Sequence, residues 1–201
     1  MKFYLETPTI ERKEDALEYL NEFVEYGSEI NGSGGLDKCL KGLTYEEWLD
    51  RLDKMSDPDY AASINKCPSK TFFFVSEEDK RIIGMINIRY NLTEAMLKFG
   101  GHIGYGIRPT ERRKGYNKIN LYLGLLKARE EFGLDRVMLD CSVTNLGSDR
   151  TIRALGGVLE KCEMDPNDNT LTNAYWIDID ESIEKYRDEY IDKISEKAKV
   201  K

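Results

Sequence analysis

The chain has few of the residues that commonly bind metals. It contains one histidine, His102, and four cysteines, none of which belongs to a Cys-x-x-Cys pair. Structural zinc sites are usually built from such pairs together with histidines, so the sequence predicts no metal site. The cysteines lie far apart in the sequence and are expected to be free thiols in a reducing compartment. They are Cys39, Cys67, Cys141 and Cys162.

Long apolar segments are also missing. No segment approaches the roughly 20 consecutive apolar residues of a transmembrane helix, and residues 1–6 lack the apolar stretch of a secretory signal peptide. Hydrophobic residues make up 40% of the chain and charged residues 33%, as in soluble globular proteins. We therefore expect one cytoplasmic domain with a full core and no membrane partner.

The chain has fewer positive than negative side chains. It contains 30 Lys and Arg and 37 Asp and Glu, which gives a net charge of −7. Nucleic-acid-binding proteins are usually basic, so this class is not expected. The acidic surface suits a cationic partner such as an amine, or serves only solubility. Five cations nevertheless cluster near one turn and predict a local anion site. They are Arg108, Arg112, Arg113, Lys114 and Lys118.

Periodic apolar patterns divide the chain into strands and helices. Strands are predicted at residues 2–6, 71–75, 81–90, 102–108, 137–141, 158–163 and 171–179. Helices are predicted at 11–26, 44–55, 115–132, 146–155 and 182–201, with loops at 27–42 and 56–69. This order predicts an α+β fold in which helices flank a mixed central sheet of about six to seven strands.

The last predicted helix carries an apolar stripe at helical spacing. Its members are Ile183, Tyr186, Tyr190 and Ile194. The stripe either packs on the sheet of the same chain or forms the contact of a homodimer.

A basic turn lies between the strand at 102–108 and the helix at 115–132. It reads Arg-Arg-Lys-Gly-Tyr-Asn over residues 112–117. N–H groups at a helix start point outward, and the helix dipole favours negative charge there. Three consecutive cations add charge-assisted contacts, and Gly115 lets a ligand approach the backbone because it has no side chain. The segment therefore predicts a phosphate-binding loop.

This loop resembles the pyrophosphate loop of the GNAT superfamily of acyl-CoA-dependent N-acetyltransferases. The family loop reads Gln/Arg-x-x-Gly-x-Gly/Ala between the fourth strand and the following helix. Arg112 occupies its first position and Gly115 its fourth, whereas Asn117 stands where Gly or Ala is usual.

A second GNAT pattern follows the strand at 137–141. The family commonly shows Asn-x-x-Ala/Ser, then a Tyr four residues later and a Gly after four more. Asn145, Ser148 and Gly156 fit this spacing, but Ile152 stands at the Tyr position. Residues 101–109 and 156–160 look like those of a bacterial branch known only as predicted acetyltransferases. The order of strands and helices is also that of the GNAT fold over most of the chain.

The resemblance implies a single GNAT domain over residues 1–201, in three parts. Residues 1–70 would supply the first strand and the helices that roof the acceptor, with acceptor selection in residues 11–59. Residues 71–179 would bind acyl-CoA, and residues 180–201 would form an extra C-terminal helix.

The resemblance also assigns residues to acetyl-CoA. The strand that ends at Ile107 would separate from the strand at 137–141 and offer its backbone to the pantetheine amides, while the amides of residues 113–118 would hold the pyrophosphate. Asn145 would bond the pantetheine arm, cap the next helix, or do both. Arg150 either reaches the ribose phosphate or is a surface residue. The full set is Ile107, Arg108, Arg112, Arg113, Lys114, Gly115, Tyr116, Asn117, Lys118, Asn145, Ser148 and Arg150.

Three residues are the main candidates for catalysis: His102, Tyr105 and Tyr175. A GNAT tyrosine often protonates the leaving thiolate, but Ile152 has no proton to give. Tyr105, Tyr116 or Tyr175 could replace it, or the thiol leaves with help from solvent. A free imidazole titrates near neutrality, so His102 is either the base that takes the amine proton or a structural residue, and water chains are the alternative base. Further candidate bases are Glu6, Asp140 and Tyr175.

The sequence therefore predicts an enzyme that transfers acetyl from acetyl-CoA to a primary amine by direct attack, without a covalent enzyme intermediate. A small molecule is the expected acceptor. The alternative is a catalytically silent GNAT module that binds acyl-CoA as a sensor or scaffold, which the departures at Asn117 and Ile152 favour.

Overall fold

The computed structural model describes residues 1–198, which contain seven strands and seven α-helices. The strands are β1 (Phe3–Glu6), β2 (Ser69–Ser76), β3 (Ile82–Arg89), β4 (Ile103–Ile107), β5 (Arg136–Ser142), β6 (Val158–Asp165) and β7 (Thr170–Asp178). The helices are α1 (Lys13–Glu25), α2 (Tyr45–Met55), α3 (Pro58–Ser63), α4 (Glu94–Lys98), α5 (Tyr116–Phe132), α6 (Leu146–Ala154) and α7 (Ile179–Tyr190). The expected α+β order is confirmed.

The strands form two antiparallel sheets that meet at one junction. The first sheet has the order β1-β2-β3-β4 and the second the order β5-β7-β6. At the junction the His102 N–H donates to the Met138 carbonyl over 2.7 Å, and the Met138 N–H donates to His102 Nδ1 over 2.9 Å. Beyond it, no ladder pairs β4 with β5 in the described part of the chain. The expected central sheet is thus divided here, and one edge of β4 has no strand beside it.

Gly101 allows the two sheets to touch at this junction. Its φ of 54° lies in the left-handed region, and a Cβ at this position would lie 2.4 Å from the Met138 carbonyl oxygen. A residue with a side chain would have to push the two backbones apart. Gly101 therefore fixes the point at which the strands begin to separate.

Two cores lie on opposite faces of the first sheet, and β2 contributes to both because its side chains alternate. Phe72 and Phe74 belong to the larger core beneath α5, α6 and α7. Phe73 and Val75 belong to the smaller core beneath α1 and α2, where Trp48 is fully buried. The first sheet therefore holds α1 on one face and α5 on the other.

A short helix, α3, forms where the sequence predicts a loop at 56–69. Asp57 caps it, with its Oδ1 accepting from the Asp59 N–H over 2.8 Å, and Pro58 takes the first helical position. Both are favourable start signals. A helix of six residues is too short to show an apolar period, so periodicity does not reveal it.

The C-terminal helix begins earlier and ends sooner than predicted. Asp178 caps α7 by accepting from the Glu181 N–H over 3.0 Å, and α7 ends at Tyr190. Short 3-10 turns follow at Ile191–Lys193 and Glu196–Ala198. The end of the predicted helix, residues 199–201, lies outside the described residues.

The apolar stripe of this segment packs against its own chain. Tyr190 and Ile194 are buried in the larger core, and the Tyr190 ring lies 5.0 Å from the ring of Tyr122 in α5. The Tyr122 hydroxyl donates to the Ile183 carbonyl over 3.2 Å. Of the two alternatives for the stripe, the structure therefore supports packing within the chain.

The four cysteines are free, and only Cys162 of β6 is exposed. Within residues 1–198, no cluster of three or more His, Cys, Asp and Glu side chains is arranged to hold a metal ion. No helix in this part of the chain combines the length and the apolar character needed to cross a membrane.

We predict that replacing His102 with Asn makes the protein less sensitive to acid. Burial lowers the pKa of His102 from 6.5 to about 4. The unfolded chain therefore binds this proton first, and stability that is complete above pH 6.5 is lost as the pH falls towards 4. The loss amounts to about 3 kcal/mol in the free energy of unfolding. The Oδ1 of the introduced Asn can still accept from the Met138 N–H, and the Asn side chain does not titrate.

Urea unfolding of both proteins at neutral and at acidic pH measures this difference. The wild-type protein should lose more stability than His102→Asn on acidification. An identical acid response in the two proteins contradicts the prediction.

Candidate active site

A cleft of about 1100 Å³ opens between β4 and the N-terminal ends of α5 and α6. Most of the residues that the sequence assigns to the site line it. They are Tyr105, Ile107, Arg112, Arg113, Gly115, Tyr116, Asn117, Lys118, Asn145, Ser148 and Arg150. Four assigned residues do not line it, namely His102, Arg108, Lys114 and Tyr175.

The basic turn enters α5 through two residues in the left-handed region. Arg113 has a φ of 63° and Gly115 a φ of 81°. A Cβ at Gly115 would meet no atom within 4 Å, so the space beside this backbone is open. N–H groups in the first turn of a helix have no intrahelical acceptor. The start of α5 therefore offers backbone donors and a positive dipole end to an anion in the cleft.

Arg112 ties this turn to two other parts of the chain. Its Nε donates to the Ile107 carbonyl over 3.0 Å, and its Nη2 donates to the Ser28 hydroxyl over 2.7 Å. Its guanidinium also lies 5.4 Å from the centre of the Phe23 ring in α1. Arg112 therefore positions the turn as well as adding positive charge to the cleft.

Arg108 is a correction to the sequence assignment. Its side chain is fully buried. Its Nε donates to Glu22 over 2.7 Å and its Nη2 to Glu18 over 2.8 Å, both in α1. Burial alone would raise the pKa of Glu22, but hydrogen bonds from Thr110 and Arg108 lower it. Arg108 therefore fastens α1 to the end of β4 and does not reach the cleft.

Lys114 is also directed elsewhere, because its ammonium pairs with Glu111 over 2.9 Å. Glu111 itself pairs with Arg81 over 3.3 Å. Of the three consecutive cations, Arg112 and Arg113 line the cleft and Lys114 does not. Lys118 and Arg150 supply further positive charge to the cleft wall.

Asn145 caps α6, which is one of the two roles expected for it. Its Oδ1 accepts from the Ser148 N–H over 3.1 Å. The residue is exposed and lines the cleft, and the cap uses its Oδ1 and leaves its NH₂ group out of the capping contact. Capping and ligand binding are therefore compatible in this geometry.

Tyr105 brings a hydroxyl from β4 to α6. Its hydroxyl and the Ser148 Oγ are 2.8 Å apart. Burial raises the pKa of Tyr105 well above its ordinary value of 10, and contacts with Ser148 and Asn117 offset this only in part. The phenol therefore keeps its proton at neutral pH and can donate a hydrogen bond.

Asn117 carries an unused acceptor in the same wall. Its Nδ2 donates to the Thr151 hydroxyl over 3.4 Å, whereas its buried Oδ1 has no hydrogen-bond partner in the described part of the chain. This oxygen has almost no accessible surface, so a ligand in the cleft does not reach it as the wall stands. A buried acceptor without a donor is unfavourable, and the departure from the family loop therefore leaves a weak point in the packing of this wall.

His102 and Tyr175 lie away from the cleft, which corrects two catalytic assignments. His102 accepts from the backbone of β5, and with a pKa near 4 it is a weak base at neutral pH. The Tyr175 hydroxyl is held by α6: it donates to Asp149 and accepts from Arg153 over 3.2 Å. Ile152 is fully buried in the larger core. Of the assigned catalytic residues, Tyr105 alone lines the cleft.

The segment after α1 also lines the cleft, and it lies within residues 11–59, to which the sequence assigns acceptor selection. Ser28, Glu29 and Asn31 contribute to the wall. A Cβ at Gly32 would lie 2.4 Å from Tyr105 Cα, and one at Gly106 would lie 2.8 Å from the Asn31 carbonyl oxygen. The two backbones therefore touch directly. The glycine-rich composition of residues 27–42 is the signal in the sequence that indicates such a contact.

Comparison with known proteins agrees with this geometry. A family model described as the acetyltransferase (GNAT) family matches residues 40–156. No curated protein matches the chain. A solved GNAT-family acetyltransferase from Bacillus anthracis has a TM-score of 0.56 at 17% identity and covers 90% of this chain and 96% of its own.

Two other solved structures carry more specific names. A ribosomal L7/L12 α-N-protein acetyltransferase in complex with coenzyme A has a TM-score of 0.61 at 16% identity, covering 90% of this chain and 96% of its own. A spermidine N-acetyltransferase chimera from Vibrio cholerae and hSSAT has a TM-score of 0.57 at 12% identity, covering 91% and 99%. At such identities these structures establish the shared fold only. Because the family model spans more than half of the sequence, the chain belongs to the GNAT family of acetyltransferases.

Proposed function

We propose that this enzyme transfers the acetyl group of acetyl-CoA to the primary amine of a small cationic molecule. One observation carries the proposal. A single cleft joins an anion-binding helix start to the unpaired edge of β4 and to the protonated hydroxyl of Tyr105. Together these features can hold a phosphate-bearing thioester in place and donate a hydrogen bond at its reacting end.

The residues of the cleft suit the parts of acetyl-CoA. The amides of residues 113–118 would hold the pyrophosphate, and the cations Lys118 and Arg150 lie where they can add charge to a phosphate. Asn117 and Asn145 both line the cleft, and their side-chain amides suit the amides of pantetheine. Acetyl-CoA supplies the activated acyl group, and the protein supplies position and hydrogen bonds.

In the proposed reaction the acceptor ammonium first gives one proton to water, and the free amine nitrogen then attacks the thioester carbonyl. The carbon–sulfur bond breaks, the nitrogen loses its second proton to water, and the departing thiolate takes up a proton from water. Tyr105 donates a hydrogen bond to the departing sulfur, in the role that Ile152 cannot fill. Since His102 does not line the cleft and its lowered pKa makes it a weak base, water in the cleft takes the protons of the amine. No covalent intermediate with the protein forms.

The negative charge of the cleft wall and of the chain is the basis for proposing a cationic acceptor. Glu29 is exposed in the cleft wall, and the chain carries a net charge of −7. Both features attract an ammonium group. One structural neighbour is named for spermidine and another for a ribosomal protein, so the neighbours represent two kinds of acceptor. The negative charge favours the small polyamine class.

The second candidate function is a silent module that binds acyl-CoA without catalysis. It is favoured by Ile152, which is buried in the core where the family places a proton donor. Calorimetric titration with acetyl-CoA, followed by a thiol-release assay with polyamines and peptide amines, separates the two. We expect binding together with release on adding a polyamine. Binding without release from any amine would support the silent module, and absence of binding would contradict both.

We predict that Gly115→Leu weakens acetyl-CoA binding by about tenfold or more. The left-handed backbone strains any side chain, and a side chain there obstructs the turn that meets the pyrophosphate. Gly133 provides a matched control, because it also has a positive φ (63°) and open space around its Cβ. It lies at the opposite end of α5. Gly133→Leu should cost similar stability and leave the dissociation constant unchanged. Equal affinities for the two variants would exclude the turn from the site.

We predict that Tyr105→Phe lowers kcat by about 10- to 1000-fold, because the leaving sulfur loses its hydrogen-bond donor. The dissociation constant for acetyl-CoA should change little. The matched control is Tyr175→Phe, which removes a buried hydroxyl bonded to Asp149 outside the cleft and should leave kcat near the wild-type value. A thiol-release assay under saturating substrate measures kcat for both variants. A Tyr105→Phe enzyme with wild-type kcat would show that Tyr105 takes no part in the reaction.

A further inference from the structure

The carboxylate of Glu22 in α1 is buried and bonded on both oxygens. Its side chain is 9% exposed. One oxygen accepts from the Thr110 N–H over 2.9 Å and from the Thr110 hydroxyl over 2.8 Å. The other oxygen accepts from Arg108 Nε over 2.7 Å and from Arg81 Nη2 over 3.3 Å. One side chain of α1 therefore holds both the arginine at the end of β4 and the segment that follows it.

Thr110 lies on the path from β4 to the basic turn. It belongs to a short 3-10 turn, Pro109–Glu111, in which the preceding Arg108 makes no capping hydrogen bond with its side chain. N–H groups at the start of a helical turn have no acceptor within that turn. Glu22 supplies an acceptor from a position 88 residues earlier in the chain. Helix α1 therefore fixes the direction in which the chain enters the basic turn.

The chain has little freedom between Thr110 and the start of α5. Arg112 Nε donates back to the Ile107 carbonyl over 3.0 Å, and Arg113 and Gly115 both have left-handed backbone. A shift of Thr110 is therefore passed on to the N–H groups at the start of α5. Such donors bind an anion well only when they are held in the right direction beforehand.

We propose that Glu22 is a positioning residue for acetyl-CoA. By holding Thr110 it orients the basic turn, and it thereby raises the affinity for the pyrophosphate without touching the ligand. The inference rests on the proposed binding of acetyl-CoA in the cleft. Glu22 does not line the cleft, so its effect passes through Thr110 and the turn.

The substitution Glu22→Gln separates the two sides of the carboxylate. Glutamine has the same length, but it offers one acceptor oxygen and one NH₂ donor. Hydrogen bonds from charged donors are the stronger ones, so the remaining oxygen turns towards Arg108 and Arg81. The NH₂ group then meets the Thr110 N–H, and two donors cannot bond each other. The turn therefore loses its anchor while the arginines keep an acceptor.

Calorimetric titration with acetyl-CoA measures the effect. Glu22→Gln should raise the dissociation constant by about tenfold. The matched control is Glu18→Gln: the Glu18 carboxylate also accepts from Arg108, over 2.8 Å, but it is bonded to Arg108 and Arg81 and not to the turn. This control should bind acetyl-CoA with wild-type affinity. Circular dichroism of each variant verifies folding.

Substitutions at the other end of the contact provide a second measurement. Thr110→Val removes the hydroxyl that bonds Glu22 and keeps the backbone N–H, so the dissociation constant should rise by about threefold or more. Thr110→Ser keeps the hydroxyl and should bind acetyl-CoA as the wild type does.

A donor without pyrophosphate distinguishes positioning from general damage. In a thiol-release assay with a polyamine, Glu22→Gln should raise KM for acetyl-CoA and leave kcat near the wild-type value. With S-acetyl-pantetheine, which lacks the pyrophosphate, kcat/KM should equal that of the wild type. A variant with a damaged fold would lose activity with both donors.

Wild-type affinity for acetyl-CoA in Glu22→Gln overturns the proposal. So does an equal loss of affinity in Glu18→Gln, since the loss would then follow from the shared contact with Arg108. Equal losses of kcat/KM with the two donors also contradict it. A wild-type protein that does not bind acetyl-CoA overturns the proposed function together with this inference. Binding without thiol release contradicts the proposed reaction alone, and the comparison of affinities still decides the role of Glu22.

Discussion

The pair of hydrogen bonds between His102 and Met138 is the constraint on which the site depends. It joins the two sheets at one point, and Gly101 permits the contact because a side chain would strike the Met138 carbonyl. Beyond this point β4 has no partner strand on one side, and the space between the sheets becomes the cleft. The buried imidazole is thus a structural part of the junction, and it is neutral because burial lowers its pKa to about 4.

A second set of contacts holds α1 to β4 and to the basic turn. Arg108 binds Glu22 and Glu18 of α1, and Arg112 reaches Ser28 just beyond the end of α1. The basic turn at residues 112–117 is therefore positioned from both sides, by the end of β4 and by α1. Part of the acidic character of α1 balances these arginines and is not available to attract an acceptor.

The sequence predicts the elements well where several residues repeat a pattern. Phe72 to Val75 reads as a buried strand because four apolar residues are consecutive, and the basic turn is evident from Arg112 and Gly115. Roles that depend on the direction of one side chain are less predictable. Nothing local distinguishes Arg108, which turns into the core, from Arg112, which lines the cleft. Nothing in the neighbouring sequence marks Tyr105 as a cleft residue either. It reaches the cleft because the alternation of side chains along β4 directs it towards α6.

The crystal structure of the protein with coenzyme A bound is the most direct test of this account. We expect the pyrophosphate on the amides at the start of α5 and the pantetheine arm along the unpaired edge of β4. We expect the sulfur within hydrogen-bond distance of the Tyr105 hydroxyl. Coenzyme A bound outside the cleft would contradict the site. Coenzyme A in the cleft with its sulfur remote from Tyr105 would leave the binding site intact and contradict the proposed chemistry.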